Sequence, residues 1–125
     1  MYIYCMKRYL SARRRSFVFA FRGLRRLLGN EPHIRIHFFA TILVLLAGVV
    51  VELGKIEWLL VTVAIGIVWI AEIFNTVIEH LCDLYTTDRD ERIRVIKDMS
   101  AGGVLVAAVI AAVIGCFVFI PRFFL

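Results

Sequence analysis

Glu72, Asn75, Glu79 and Asp83 follow one another at intervals of three, four and four residues, inside a stretch that continues the apolar run beginning at Trp58. At 100° per residue they fall within a sector of about 80° on a helix. Three carboxylates and an amide therefore share one stripe of a helix whose other faces suit lipid. A carboxylate there can take a proton from a substrate, hold a divalent cation, or pass a proton along. A single ionisable group at mid-membrane costs roughly 2.5–3.5 kcal/mol on insertion scales, so such a stripe requires metal, protons or polar partners to compensate it.

The elements that position this stripe follow from composition. The chain has 125 residues, of which 62% are hydrophobic, and a mean hydropathy of +0.86. These values lie outside the range of soluble domains and indicate a single membrane domain spanning residues 1–125. Cys5, Cys82 and Cys116 are odd in number and lack metal-ligand spacing, so they read as packing thiols and exclude a disulfide framework or zinc site.

Residues 1–28 carry Lys7, Arg8, Arg13, Arg14, Arg15, Arg22, Arg25 and Arg26 and no acid. Phe17, Ala20, Phe21, Leu24, Leu27 and Leu28 recur at helical spacing, opposite a face holding Arg15, Arg22 and Arg26. The expectation is an amphipathic helix over residues 11–29, lying on the membrane with its arginines on anionic lipid headgroups rather than on nucleic acid. Phe19 breaks the pattern by falling near the basic face. No short apolar segment with a small-residue cleavage site follows, so this is an anchor and not a signal peptide. Gly29 suits the left-handed position after a helix, and Pro32 the first turn of the next, with Glu31 near its N-cap.

Three transmembrane helices are expected at residues 34–53, 56–78 and 101–120, each about as long as a bilayer core requires. Residues 52–57 form a tight external turn. The second loop, residues 83–98, carries Arg89, Arg92, Arg94 and Lys97. Basic residues concentrate there and at the N-terminus, which places both in the cytoplasm. Counting about 1.5 Å per residue from Trp58 puts Glu72 in the cytoplasmic third of the bilayer, with Glu79 and Asp83 near the headgroups. Gly103, Ala107, Ala111 and Gly115 form a ridge of small residues at i, i+4 spacing, suited to close helix packing. Three spans cannot wall in a polar stripe alone, so a homo-oligomer is expected.

None of the soluble kinase signatures is present: no G-x-x-x-x-G-K-[ST], no Gly-rich loop, no H-R-D or D-F-G. The residues themselves leave three readings. The first is a metal-dependent membrane enzyme with one carboxylate as base. The second is a cation or proton pathway. The third is a structural oligomer whose acids pair with arginines across subunits. A transporter would show repeats or interrupted helices, and none is visible.

The string Glu72-Ile73-Phe74-Asn75-Thr76-Val77-Ile78-Glu79, then Asp83, then Lys97-Asp98 opening a Gly/Ala-rich last span, closely resembles the prokaryotic diacylglycerol kinase family, which includes the undecaprenol kinases. So does Asn30-Glu31 followed by Arg35-Ile36-His37. The resemblance runs from about Ser16 to the C-terminus. It implies an all-α integral membrane protein, homotrimeric, acting as a lipid kinase in the bacterial inner membrane. It implies Glu72 as catalytic base, and Glu31 and Glu79 as ligands of the Mg²⁺ that accompanies ATP. It implies Lys97 and Asp98 as a nucleotide-contacting pair, with Asn75 and Asp83 as further polar residues of the site. Phe74, Val77 and Cys82 depart from the family pattern but flank the stripe. The segment Thr87–Glu91 lacks the family's Tyr-His, so no nucleotide contact is carried onto it. The acceptor is a lipid alcohol, diacylglycerol or undecaprenol. The Asn-Glu…Arg-Ile-His string and the Asn75-Thr76 pair resemble the undecaprenol branch more.

Overall fold

The structure is a computed structural model that describes the backbone of residues 2–86 and 88–124 and the side chains of residues 13–86 and 88–123. The side chains of Cys5, Lys7 and Arg8 lie outside these residues, as does Thr87. Four helices follow one another: α1 (Tyr2–Asn30), α2 (Pro32–Val50), α3 (Lys55–Tyr85) and α4 (Glu91–Phe124). Three of them, α2, α3 and α4, are long and apolar enough to cross a membrane. The chain divides into two compact units, Met1–Ile36 and His37–Leu125.

In the first unit, α1 leaves residues 13–26 exposed, both the arginines and the phenylalanines. Phe19, out of place on an amphipathic wheel, lies beneath the Arg22 guanidinium, 5.8 Å from ring centroid to Cζ, a cation–π contact that explains an aromatic ring on a basic face. Gly29 is not the left-handed residue that the sequence suggests. The helix runs on through Asn30, and among the described residues no glycine has a positive φ. Arg35 reaches back instead and donates from Nη2 to the Gly29 carbonyl at 2.8 Å, placing a cation on the negative end of α1. Only Glu31 separates the two helices, and Pro32 opens α2 as expected.

In the second unit, α2 ends in a turn set by its backbone. The Leu53 N–H donates to the Gly48 carbonyl and the Glu52 N–H to that of Val49, the paired bonds of a Schellman motif. Glu52 takes the left-handed conformation that the motif requires, at φ 53°. Leu53 folds back onto Gly48, whose missing side chain makes the room. A Cβ there would come within 2.8 Å of Trp58 Cη2 and 3.0 Å of Leu53 Cδ1. Glu57 then caps α3, accepting from the Gly54 N–H at 2.6 Å.

The core lies at this end of the bundle. Leu53, Val61 and Val118 are buried, with Val44, Trp58, Ile65 and Ile114 packed around them. Large apolar side chains such as Phe39, Leu43, Phe74 and Phe117 are exposed instead, a surface that in water would mark an interface and that a bilayer covers. Helices α3 and α4 run antiparallel and are tied at both ends. Arg122 donates to both carboxylate oxygens of Glu57, at 2.6 and 3.2 Å. At the opposite end Lys97 Nζ donates to Asp83 Oδ1 at 2.6 Å.

The helices exceed the expected spans. With 31 and 34 residues, α3 and α4 are about 46 and 51 Å long, against about 30 Å of hydrocarbon. The loop expected over residues 83–98 contracts to residues 86–90. Asp90 caps α4, its Oδ1 accepting from the Arg92 N–H at 2.8 Å. The Arg92 guanidinium and that N–H hold the Asp90 carboxyl down at about 2. The overhanging ends of α3 and α4 carry most of the polar residues that the sequence singles out.

Candidate functional site

Among the described residues, the buried polar side chains lie one turn apart on α3: Glu72, 6% exposed, and Thr76, 5% exposed. A carboxylate this deep needs a partner, and α2 supplies it. His37 Nε2 lies 2.7 Å from Glu72 Oε1. One turn away a second link joins the same helices. Trp69 Nε1 donates to Thr41 Oγ1 at 2.9 Å, and that hydroxyl donates to the His37 carbonyl at 2.7 Å. Thr41 thus uses its hydroxyl both as acceptor and donor, and the two links fix the register of α2 against α3.

Along α3 toward its C-terminus the stripe continues as the spacing predicts. Burial falls in steps with position: Glu72 is buried, Asn75 and Glu79 are half-buried, and Asp83 is exposed. Asn75 Nδ2 donates to Glu79 Oε1 at 3.0 Å. The opposite amide orientation would set oxygen against carboxylate, so chemistry fixes this one. Asn75 Oδ1 is left buried with no hydrogen-bond partner. Unsatisfied buried oxygens are rare, and this one has the lone pairs to accept from a donor or to coordinate a cation.

Lys97 stands against the end of the stripe through Asp83. Asp98 does not join it; its carboxylate accepts from Arg94 Nη1 at 3.1 Å, and Arg94 also pairs with Glu91. Glu31 occupies the break between α1 and α2, its carbonyl accepting from the Arg35 N–H at 3.3 Å, as an N-cap residue does.

Among the described residues no group of three or more His, Cys, Asp or Glu assembles as a metal cage. The donors of the stripe still fit a hard divalent cation. Mg²⁺ typically takes one or two carboxylates and completes its shell with phosphate oxygens and water. Glu79 and the unpaired Asn75 oxygen are oxygen donors of that kind.

His37 is the residue that reasoning on the stripe alone misses. The available signal was depth: His37 opens the apolar run of the first span, and Glu72 closes that of the second, so antiparallel spans bring them level. Beside His37 a cavity of about 350 Å³ extends among α2, α3 and α4. Thr41, Val61, Trp69, Ala111 and Phe119 are among its walls, which are almost wholly apolar apart from His37, Thr41 and Trp69.

A buried carboxylate, a hard-cation donor set and a lysine at the end of one helix are parts that phosphoryl transfer uses. Comparison with known proteins agrees. Residues 18–119 match the family described as prokaryotic diacylglycerol kinase. The undecaprenol kinase of Bacillus subtilis (strain 168) is 39% identical over 108 residues, covering 86% of this chain and 88% of that protein. The diacylglycerol kinase of Synechocystis sp. is 30% identical over 107 residues, covering 85% of this chain and 61% of that longer protein. With three helices long and apolar enough to cross a membrane and an acid stripe on the second of them, the chain belongs to the prokaryotic diacylglycerol kinase family of membrane lipid kinases.

Proposed function

We propose that the protein is an ATP- and Mg²⁺-dependent kinase that phosphorylates the hydroxyl of a membrane lipid alcohol, undecaprenol ahead of diacylglycerol, in lipid or cell-envelope recycling. The observation that carries this reading is the buried Glu72 carboxylate, held by His37, whose side chain lines an apolar cavity. A chain-bearing alcohol in the membrane can present its hydroxyl there. The 39% identity to an undecaprenol kinase over nearly its whole length supports the choice of acceptor. Family membership sets aside the reading as a cation or proton pathway.

In this mechanism Glu72 takes the hydroxyl proton as the lipid oxygen forms its bond to the γ-phosphorus of ATP. The bond from that phosphorus to the β–γ bridging oxygen breaks, and ADP leaves. Glu79, its carboxylate fixed by the Asn75 amide, would hold the divalent ion, and Glu31 is assigned to it by the family resemblance alone. Mg²⁺ bound there would neutralise phosphate charge. Lys97, with Asp83 locating it, adds positive charge on the side from which phosphates arrive, and Asp98 stands beside it on α4. Little covalent help is needed, because positioning and electrostatics dominate phosphoryl transfer.

The same reading places the N-terminus and the connection at residues 86–90 in the cytoplasm, in a bacterial inner membrane, with α1 on the membrane surface. Exposed phenylalanines and arginines on α1 support that placement. A homotrimer supplies the walls that three spans lack. Gly103, exposed and with nothing within 4 Å of an added Cβ, is open to a neighbouring helix. Purified protein incubated with labelled ATP, Mg²⁺ and each lipid alcohol in turn tests the function. Transfer of label to undecaprenol at a higher kcat/KM than to diacylglycerol is expected. Transfer to neither refutes the reading, and preference for diacylglycerol reverses the acceptor.

A further inference from the structure

We propose that His37 is a positioning residue for the reaction: its imidazole occupies one carboxylate oxygen of Glu72 and so presents the other to the lipid hydroxyl. The proposal rests on the reading of Glu72 as the base. At 2.7 Å a hydrogen lies between Nε2 and Oε1. With Glu72 ionised, as a base must be before it acts, Nε2 carries that hydrogen and donates it. The rotation of a carboxylate about its last bond is broad and two-fold, so a free Glu72 would sample many orientations. Tied at Oε1, it has Oε2 as its remaining acceptor.

The histidine is itself held. Thr41, one turn along α2, donates to the His37 carbonyl and accepts from Trp69 on α3. Trp69 is one turn from Glu72, so the Thr41–Trp69 link and the His37–Glu72 link close a small frame between the two helices. The His37 side chain is more exposed than that of Glu72, 28% against 8%. Nothing in the proton balance of the transfer requires His37 to change its own protonation. Its role is geometric.

Kinetics on the full-length protein in lipid or mild detergent, with His37→Leu, His37→Ala and His37→Gln, test this. A carboxylate free to swing by about an ångström loses on the order of 10²-fold in rate. His37→Leu should lose about that factor in kcat, with KM for ATP unmoved. His37→Gln, whose amide N–H reaches the same place, should restore most of the loss. Added imidazole should raise the rate of His37→Ala.

If His37→Leu keeps wild-type kcat while Glu72→Gln is inactive, the base reading stands and the His37 proposal fails. An active Glu72→Gln removes the base reading itself, and this proposal with it. If His37→Leu does not fold, His37→Gln and imidazole-treated His37→Ala decide. Folded protein that neither the amide nor imidazole restores would make the contact a structural one and overturn the proposal, as would a change confined to KM for ATP.

Discussion

Replacing Glu72 with Gln separates basicity from shape. The two side chains are close to isosteric, and the Gln carbonyl can still accept from His37 Nε2 where Glu72 Oε1 does at 2.7 Å. What changes is that the second oxygen becomes an NH₂. At a residue only 6% exposed, an unpaired donor costs about 1–3 kcal/mol of stability, less than the roughly 5–15 kcal/mol by which proteins typically hold their fold. The variant should therefore insert and fold. General-base catalysis contributes about 10²–10⁴-fold, or about 2.7–5.4 kcal/mol of barrier at 1.36 kcal/mol per decade. The two effects differ in their readout: thermal unfolding moves by a few degrees, while the rate falls at least a hundredfold. Initial rates of label transfer from ATP, at saturating ATP and lipid, measure the second. Unfolding in the same detergent measures the first. Nucleotide binding should survive, because Glu72 lies at the buried end of the stripe, away from Lys97 and the exposed Asp83. Retention of more than about a tenth of the wild-type rate, about 1.4 kcal/mol, would refute the assignment of Glu72 as base.

Glu79→Ala and Glu31→Ala should each raise the Mg²⁺ concentration needed for half-maximal rate, with excess Mg²⁺ partly rescuing the milder variant. If Glu31→Ala lowers only the thermal midpoint, Glu31 is an N-cap and no ligand. Gly48→Ala gains about 1 kcal/mol of helix propensity but drives a Cβ to 2.8 Å from the Trp58 ring, an overpacking that costs about 1–3 kcal/mol. It should melt below Gly66→Ala, where the added carbon meets nothing within 4 Å, and equal midpoints would refute that packing. Mixing inactive Glu72→Gln and Lys97→Met subunits before reassembly should restore part of the activity if the two residues serve one site from different chains. No recovery despite proven mixing places both in the same chain's site, and an active monomer removes the oligomer.

The three spans were legible because apolar runs of bilayer length have few other readings, and the acid stripe because 100° per residue fixes which side chains share a face. The ends of the helices were not. Apolarity stops near Ile78 and resumes near Ala101, yet the backbone hydrogen bonds of a helix do not depend on apolar side chains. So α3 continues to Tyr85 and α4 begins at Glu91. The turn chemistry was misleading in both directions. Gly29, suited to a left-handed position, stays helical because Arg35 caps the end of α1, while Glu52, with no such preference, takes the left-handed position that the Schellman bonds demand.

Pairing between helices was the least legible. Asp83 and Lys97 were both singled out, but nothing in their spacing says that they touch. Their contact follows from the antiparallel register that Glu57–Arg122 fixes at the other end. Asp98, next to Lys97 in sequence, points 100° away on α4 and goes to Arg94 instead. The His37–Glu72 pair shows what a reading by helical face lacks. Face tells which residues of one helix act together, whereas depth tells which residues of two helices meet. In a membrane protein both are countable, since each span enters at a known side and rises about 1.5 Å per residue. An ionisable side chain at a given depth in one span must be matched by a polar group at that depth in another, because lipid offers it nothing. Applied to Glu72, that requirement leads to the N-terminal end of the first span, where His37 is the titratable side chain at the edge of the apolar run.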